Sequence, residues 1–223
     1  MLRDFGPNEF IFLLLAARWT VALSLLAFAG GGLLGLVIAL ARVSPWRPLR
    51  AIAIGYIQIM QGTPALMQLF LIYFGIGLFG IRPDAWIAAA YAFTVSSSAF
   101  FAEIWRGCIE AIPRGQWESA RSLGLSFPLV LRLVVLPQAF RIMIAPTIGY
   151  MVQIIKGTSL ASLIGFTELA RAGQVINTIT FQPTLVFGSV ALIYFALCWP
   201  LSYLSQRLEA RIARGRQEPR VPA

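Results

Sequence analysis

Few residues in this 223-residue chain can do covalent chemistry, and their placement decides what kind of chemistry is open. There is no histidine, and the nine carboxylates (Asp4, Glu9, Asp84, Glu103, Glu110, Glu118, Glu168, Glu209, Glu218) fall near the ends of apolar runs, in connections or in terminal segments. Cys108 and Cys198 have neither metal-ligand spacing nor a disulfide framework and read as packing residues. No G-x-x-x-x-G-K-[ST] phosphate loop is present, so nucleotide hydrolysis by that route is excluded, and no metal site is expected. What remains is binding and coupling. The residues that suit it are Glu118, Ser119, Ala120, Gly124 and Pro137 in one segment. A second, sparser set sits in apolar surroundings: Gln61, Thr63, Gln153, Lys156, Thr158 and Ser159.

The elements that must position these groups are membrane-embedded. With 58% hydrophobic and 12% charged residues and a mean hydropathy of +0.77, the chain carries about half the charge of a soluble domain. Its formal charge of +9 comes from arginines beside apolar runs, as membrane orientation requires, and nucleic-acid binding is not expected. The expected organisation is an all-α integral membrane protein of five spans in one compact domain.

Residues 1–15 read as an extracytoplasmic segment with no removable signal peptide, leading into a surface-lying helix over Glu9–Arg18. The first span is expected over Trp19–Ala41, its Gly30-Gly31-Gly32 and Gly35 admitting a close helix neighbour. Ala51–Gly80 would reach about 45 Å as a single straight helix, against a hydrocarbon core of about 30 Å, and Gly62-Thr63-Pro64 is expected to break it. Gln61 and Thr63 read as cavity lining, whereas Gln58 and Gln68 serve equally well as interhelical hydrogen bonds. A third span follows over Ala85–Ile104, with Glu103 and Arg106 paired on one face and the hydroxyls of Thr94 to Ser98 read mainly as packing. A fourth runs over Ile142–Ile155 and is expected to open at Gly157-Thr158-Ser159. The polar connection through Glu168 admits a short surface helix before a last span over Thr184–Leu204. Residues 208–223 form a basic tail.

The longest polar segment between these spans runs from Glu110 to Pro137. Pro113 and Gly115 break what precedes, and Gln116–Leu123 predicts a helix of about two turns with Glu118 in its first turn. Gly124 lets that helix stop, Ser126 caps the next, Pro128 sits near its start, and Pro137 bends or ends it. One side is apolar (Ile112, Trp117, Ala120, Leu123) and one charged (Arg114, Glu118, Arg121), which suits a helix lying against a partner.

Glu118-Ser119-Ala120, Gly124 after three intervening residues and Val134-Val135-Leu136-Pro137 after nine more resemble the EAA loop of ABC importer membrane subunits. The flanking Glu103-Ile104-Trp105-Arg106-Gly107, Ile112-Pro113-Arg114-Gly115-Gln116-Trp117 and Leu136-Pro137-Gln138-Ala139 are similar to the branch that imports polar amino acids. Three departures are visible: Ser119 stands for the usual first Ala, Gln61 where Arg is frequent, and Gly157 where Asp is frequent. The last removes a carboxylate that would face a cationic substrate.

The resemblance implies a type I ABC importer transmembrane domain over residues 16–207, with the EAA loop at 110–137 as a cytoplasmic coupling helix. It further implies two separate ABC ATPase subunits holding ATP and Mg, no cofactor on this chain itself, a homodimer or a heterodimer with a sister permease, and an extracytoplasmic amino-acid-binding protein. The alternatives weighed are an ion-coupled secondary transporter, which normally needs a titratable group in mid-membrane, and a passive channel. Neither accounts for the EAA-like loop. Charge gives the orientation independently. With the N-terminus outside, thirteen arginines fall on the cytoplasmic side against four outside (Arg3, Arg18, Arg82, Arg171), so N-out, C-in is expected in the bacterial inner membrane.

Overall fold

A computed structural model describes residues 4–80 and 82–216, and among them every regular element is helical. Arg3, Arg220 and the rest of 217–223 lie outside the described residues. Helix α1 spans Pro7–Val43, with Pro7 at its start and Glu9 in its first turn. Its 37 residues reach about 55 Å, so it exceeds the hydrocarbon core by several turns. The expected surface helix and first span are therefore one uninterrupted helix. No residue between Glu9 and Trp19 lacks an N–H or otherwise stops the α-helical ladder.

After a short turn, α2 (Arg47–Gly62) and α3 (Ala65–Phe70) meet at an angle of 100°. The chain then continues through a π turn (Leu71–Gly75) and a 3-10 turn ending at Gly80. The break falls where the sequence places it. Pro64 has no N–H to give, and Thr63 before it is held in an extended conformation.

Helix α4 (Ala85–Glu110) is the central element, capped by the Asp84 carboxylate on Trp86 N. It lies along α1 through the glycines. A Cβ on Gly31 would come within 2.3 Å of Ser97 Oγ, and one on Gly35 within 2.9 Å of Ser98 O. Ser97 uses the approach to donate to Ala27 O of α1 at 3.1 Å.

Helix α5 spans Arg114–Ser122. The next membrane helix begins as α6 (Phe127–Val130), passes through a π turn (Leu131–Val135), and runs on as α7 (Leu136–Gly157) and a 3-10 segment (Thr158–Ile164). Two sequence expectations change here. Ser126 is the N-cap of α6, but its side chain makes no capping bond. Pro137 does not end the helix, because the π turn before it has already shifted the hydrogen-bond register: Leu136 N reaches Leu131 O. Helix α8 (Leu169–Thr180) fills the connection, and α9 (Pro183–Arg216) closes the chain. The first part of the expected basic tail is thus a continuation of α9. Among the described residues four helices can cross a membrane by length and composition, or five when the bent α2–α3 pair counts as one span.

Candidate functional site

Two regions hold the residues singled out in the sequence. The first is the amphipathic helix α5 and the turn that ends it. Gly124 has φ +78, a left-handed conformation that a side chain resists. Its N–H bonds to Arg121 O at 2.8 Å and that of Leu125 to Ala120 O at 3.4 Å, the paired bonds of a Schellman motif. A Cβ at Gly124 would meet nothing within 4 Å, so backbone conformation and not close approach fixes the residue type.

Ala120 is buried in a cluster with Ile109, Ile112, Val130 and Ala139, and Trp117 packs at its edge against Phe127. This seats α5 on the ends of α4 and α7, and Gln138 Nε2 adds a bond to Gln116 Oε1 at 3.3 Å. Glu118 and Ser119 face solvent, as does Pro137. Because α5 starts at Arg114, two residues earlier than expected, Glu118 lies beyond its first turn and gains little from the helix dipole there. The helix thus has one side fixed to the bundle and another free to receive a partner.

The second region lies inside the membrane domain. A cavity of about 310 Å³ is lined by Ala65, Phe93, Ser96, Ser97, Phe100, Tyr150, Gln153, Ile154 and Gly157. The two stretches read as breaks therefore face one space, through Ala65 just after Pro64 and through Gly157. They differ in kind. At 62–64 the ladder is interrupted, and Gln68 closes it: Nε2 donates to Met60 O at 2.7 Å, Thr63 O at 3.1 Å and Thr63 Oγ1 at 2.8 Å. The open reading of Gln68 thus resolves to a brace across the break.

At 157–159 the helix tightens to 3-10 instead of opening. Gly157 is right-handed, and the hydroxyls of Thr158 and Ser159 donate to Ile155 O and Lys156 O, both at 2.7 Å. Thr158 is fully buried.

Of the six residues expected along a pathway, Gln153 lines the cavity. Gln61 is exposed and reaches Ala99 O of α4 at 3.4 Å, Thr63 donates to Ile59 O at 2.8 Å, and Lys156 is exposed outside the lining. Sequence reasoning missed the aromatic wall, in which Phe100 stacks on Tyr150 at 5.2 Å, and the contribution of Ser96. The helical spacing of Phe93, Ser96, Ser97 and Phe100 along one face of α4 was the available signal.

Sequence reasoning also placed Glu168 in an ordinary polar connection, but it is fully buried. Its Oε1 accepts from Arg171 N at 2.9 Å, and its Oε2 from Ala170 N at 2.9 Å, Tyr194 Oη at 2.8 Å and Thr20 Oγ1 at 3.3 Å. It caps α8 and ties α1 to α9. Burial pushes its carboxyl above the usual range, against the downward pull of these donors.

Comparison with known proteins gives a consistent set. Residues 31–214 match the family described as binding-protein-dependent transport system inner membrane component. The L-cystine transport system permease protein TcyB of Bacillus subtilis is 38% identical over 197 residues, covering 88% of this chain and 84% of that protein. The glutamine transport system permease protein GlnP of Escherichia coli K12 is 35% identical over 198 residues, covering 88% and 90%. A crystal structure of an amino acid ABC transporter with histidines superposes with a TM-score of 0.84 at 35% identity, covering 90% of this chain and 94% of that one.

Proposed function

This chain belongs to the family of binding-protein-dependent transport system inner membrane components, and from that membership we propose that it is the permease subunit of an ATP-driven importer of a polar amino acid. The observation that carries the reading is α5: a helix locked to the bundle through Ala120 and Trp117, ended by a glycine turn, and presenting Glu118 and Ser119 outward. Such a helix passes motion from a docked partner straight into the ends of α4 and α7.

The partner is a separate ABC ATPase, two per complex, with ATP and Mg held there and none on this chain. Two permease chains, identical or sister, form the translocation unit, and an extracytoplasmic binding protein delivers the substrate. The N-terminus lies outside and the C-terminus in the cytoplasm, which puts α5 and the arginine-rich ends on the ATPase side.

The substrate passes the cavity between α3, α4 and α7. Gln153 supplies a polar contact there, Gln61 and Thr63 shape the first break, Thr158 and Ser159 hold the second stretch, and Lys156 contributes charge at its border. Binding protein and nucleotide drive alternating access by favouring outward and inward states differently.

The test is uptake of labelled amino acids by vesicles holding the permease with its ATPase and binding protein. Uptake is expected to require internal ATP and the binding protein together. Accumulation driven by an ion gradient without ATP would favour a secondary transporter, and equilibration without either would favour a channel.

A further inference from the structure

We propose that the cavity between the ends of α1 and α4 and the flank of α5 is a binding site for the phosphate diester of an anionic phospholipid. The cavity measures about 570 Å³, and four arginines, Arg42, Arg50, Arg114 and Arg121, line it against one carboxylate, Glu110. That carboxylate is already engaged: Arg106, outside the lining, pairs with both Glu110 and Glu103. Among the described residues none of the four lining arginines has an acidic partner within ion-pair distance. Four guanidinium groups around one space, with Glu110 shared with Arg106 and Glu103 nearby, leave a net positive charge that a phosphate neutralises with bidentate bonds.

The rest of the lining says which phosphate. Val43, Ile109, Ile112, Trp117 and Phe127 give the same cavity an apolar wall, which a free anion does not use and a glycerol backbone with acyl chains does. The site also sits at the right depth. Arg42 lies in the last turn of the membrane helix α1, and the neighbouring Trp46 is exposed at the turn into α2, where indoles favour the headgroup layer.

The site borders the partner-facing side of α5: Arg114, Trp117 and Arg121 line the cavity, whereas Glu118, one turn from Arg114 on the charged flank, and Ser119 do not. A lipid bound here fills the space behind α5 and stiffens its seat on the bundle.

The experiment uses the full chain in nanodiscs of mixed phosphatidylglycerol and phosphatidylcholine, with retained lipid counted by native mass spectrometry after gentle extraction. The wild type is expected to retain phosphatidylglycerol selectively. Arg42→Gln/Arg50→Gln and Arg114→Gln/Arg121→Gln should each lower that selectivity, by about fivefold per arginine removed, and Arg132→Gln, an exposed arginine outside the cavity, should not. Should the glutamine variants fail to insert, the wild type still tests the proposal, since absence of any preference overturns it. Equal loss in Arg132→Gln also overturns it, by making the preference a general charge effect. Displacement of the lipid by equimolar inorganic phosphate would transfer the site to a soluble anion. Variants that keep the lipid but lose the ATPase partner would transfer it to an acidic protein surface.

Discussion

The stretches at Gly62-Thr63-Pro64 and Gly157-Thr158-Ser159 carry similar residue types, a glycine with neighbouring hydroxyls, yet one turns the chain by 100° and the other only tightens it. The difference is Pro64. Proline removes a donor and excludes the α conformation from the residue before it, so the ladder must be interrupted, and Gln68 then supplies donors to Met60 O and Thr63 O. At 157–159 every N–H is available, and the hydroxyls turn back onto carbonyls of their own helix, Ile155 O and Lys156 O. Glycine and hydroxyl residues permit an opening but do not enforce one.

The contrast is widest at Gly124, where a helix does end on a left-handed glycine. Gly124→Val should cost about 2 kcal/mol or more at that turn, since a β-branched side chain is poorly tolerated at positive φ. Substrate-stimulated ATP hydrolysis by the assembled complex should fall at least about tenfold while the chain still inserts. Unchanged coupled hydrolysis would show that the turn does not position α5.

Next in size is the brace of the first break. Gln68→Leu keeps the volume but leaves Met60 O and the Thr63 groups without their donor, at a cost of about 1–3 kcal/mol. The thermal midpoint in nanodiscs should drop measurably. A midpoint equal to wild type would mean that the 100° bend stands on Pro64 alone.

Downstream of the second stretch Glu168 ties α1, α8 and α9 together, which makes the stability of the fold depend on pH. The folded-state carboxyl is raised above its ordinary value by burial, so the folded chain holds the proton more tightly than the unfolded chain does. Its contribution is fully present below the usual carboxylate range and is lost as pH rises through that range to the raised value. Glu168→Gln should flatten this dependence in thermal melts from mildly acidic to neutral pH. An identical pH profile in the variant would assign the dependence elsewhere.

The sequence signals that proved legible were those with a single physical meaning. Pro64 locates a break, Gly31 and Gly35 a close helix contact, and Gly124 beside polar residues a helix stop. Signals with several meanings were not. The hydroxyls of Thr158 and Ser159 look the same in sequence whether they face a ligand or their own backbone. Pro137 predicts a helix end only when the residues before it keep an α register, and the π turn at 131–135 leaves no composition signature. Glu168 reads as a loop carboxylate because its partners Thr20 and Tyr194 are 148 and 26 residues away. The cavity wall of Phe100 and Tyr150 is likewise assembled from two helices that no local pattern joins.

The smallest expected effects test the second stretch directly. A Cβ at Gly157 would meet nothing within 4 Å, and its neighbours hold it in a right-handed helical conformation. Gly157→Ala should therefore change stability by less than about 1 kcal/mol, with the sign toward stabilisation, because alanine restricts the unfolded chain more. Thr158→Val deletes a buried hydroxyl whose bond goes to Ile155 O and not into the cavity, so it should leave the concentration dependence of uptake within about twofold of wild type. Gln153→Leu removes a polar group that does line the cavity, and it should raise the substrate concentration needed for half-maximal uptake several-fold more than Thr158→Val does. If Thr158→Val proves the more damaging of the two, the 3-10 segment must open during transport and expose that hydroxyl. The two breaks would then become alike in the working cycle although they differ in this conformation.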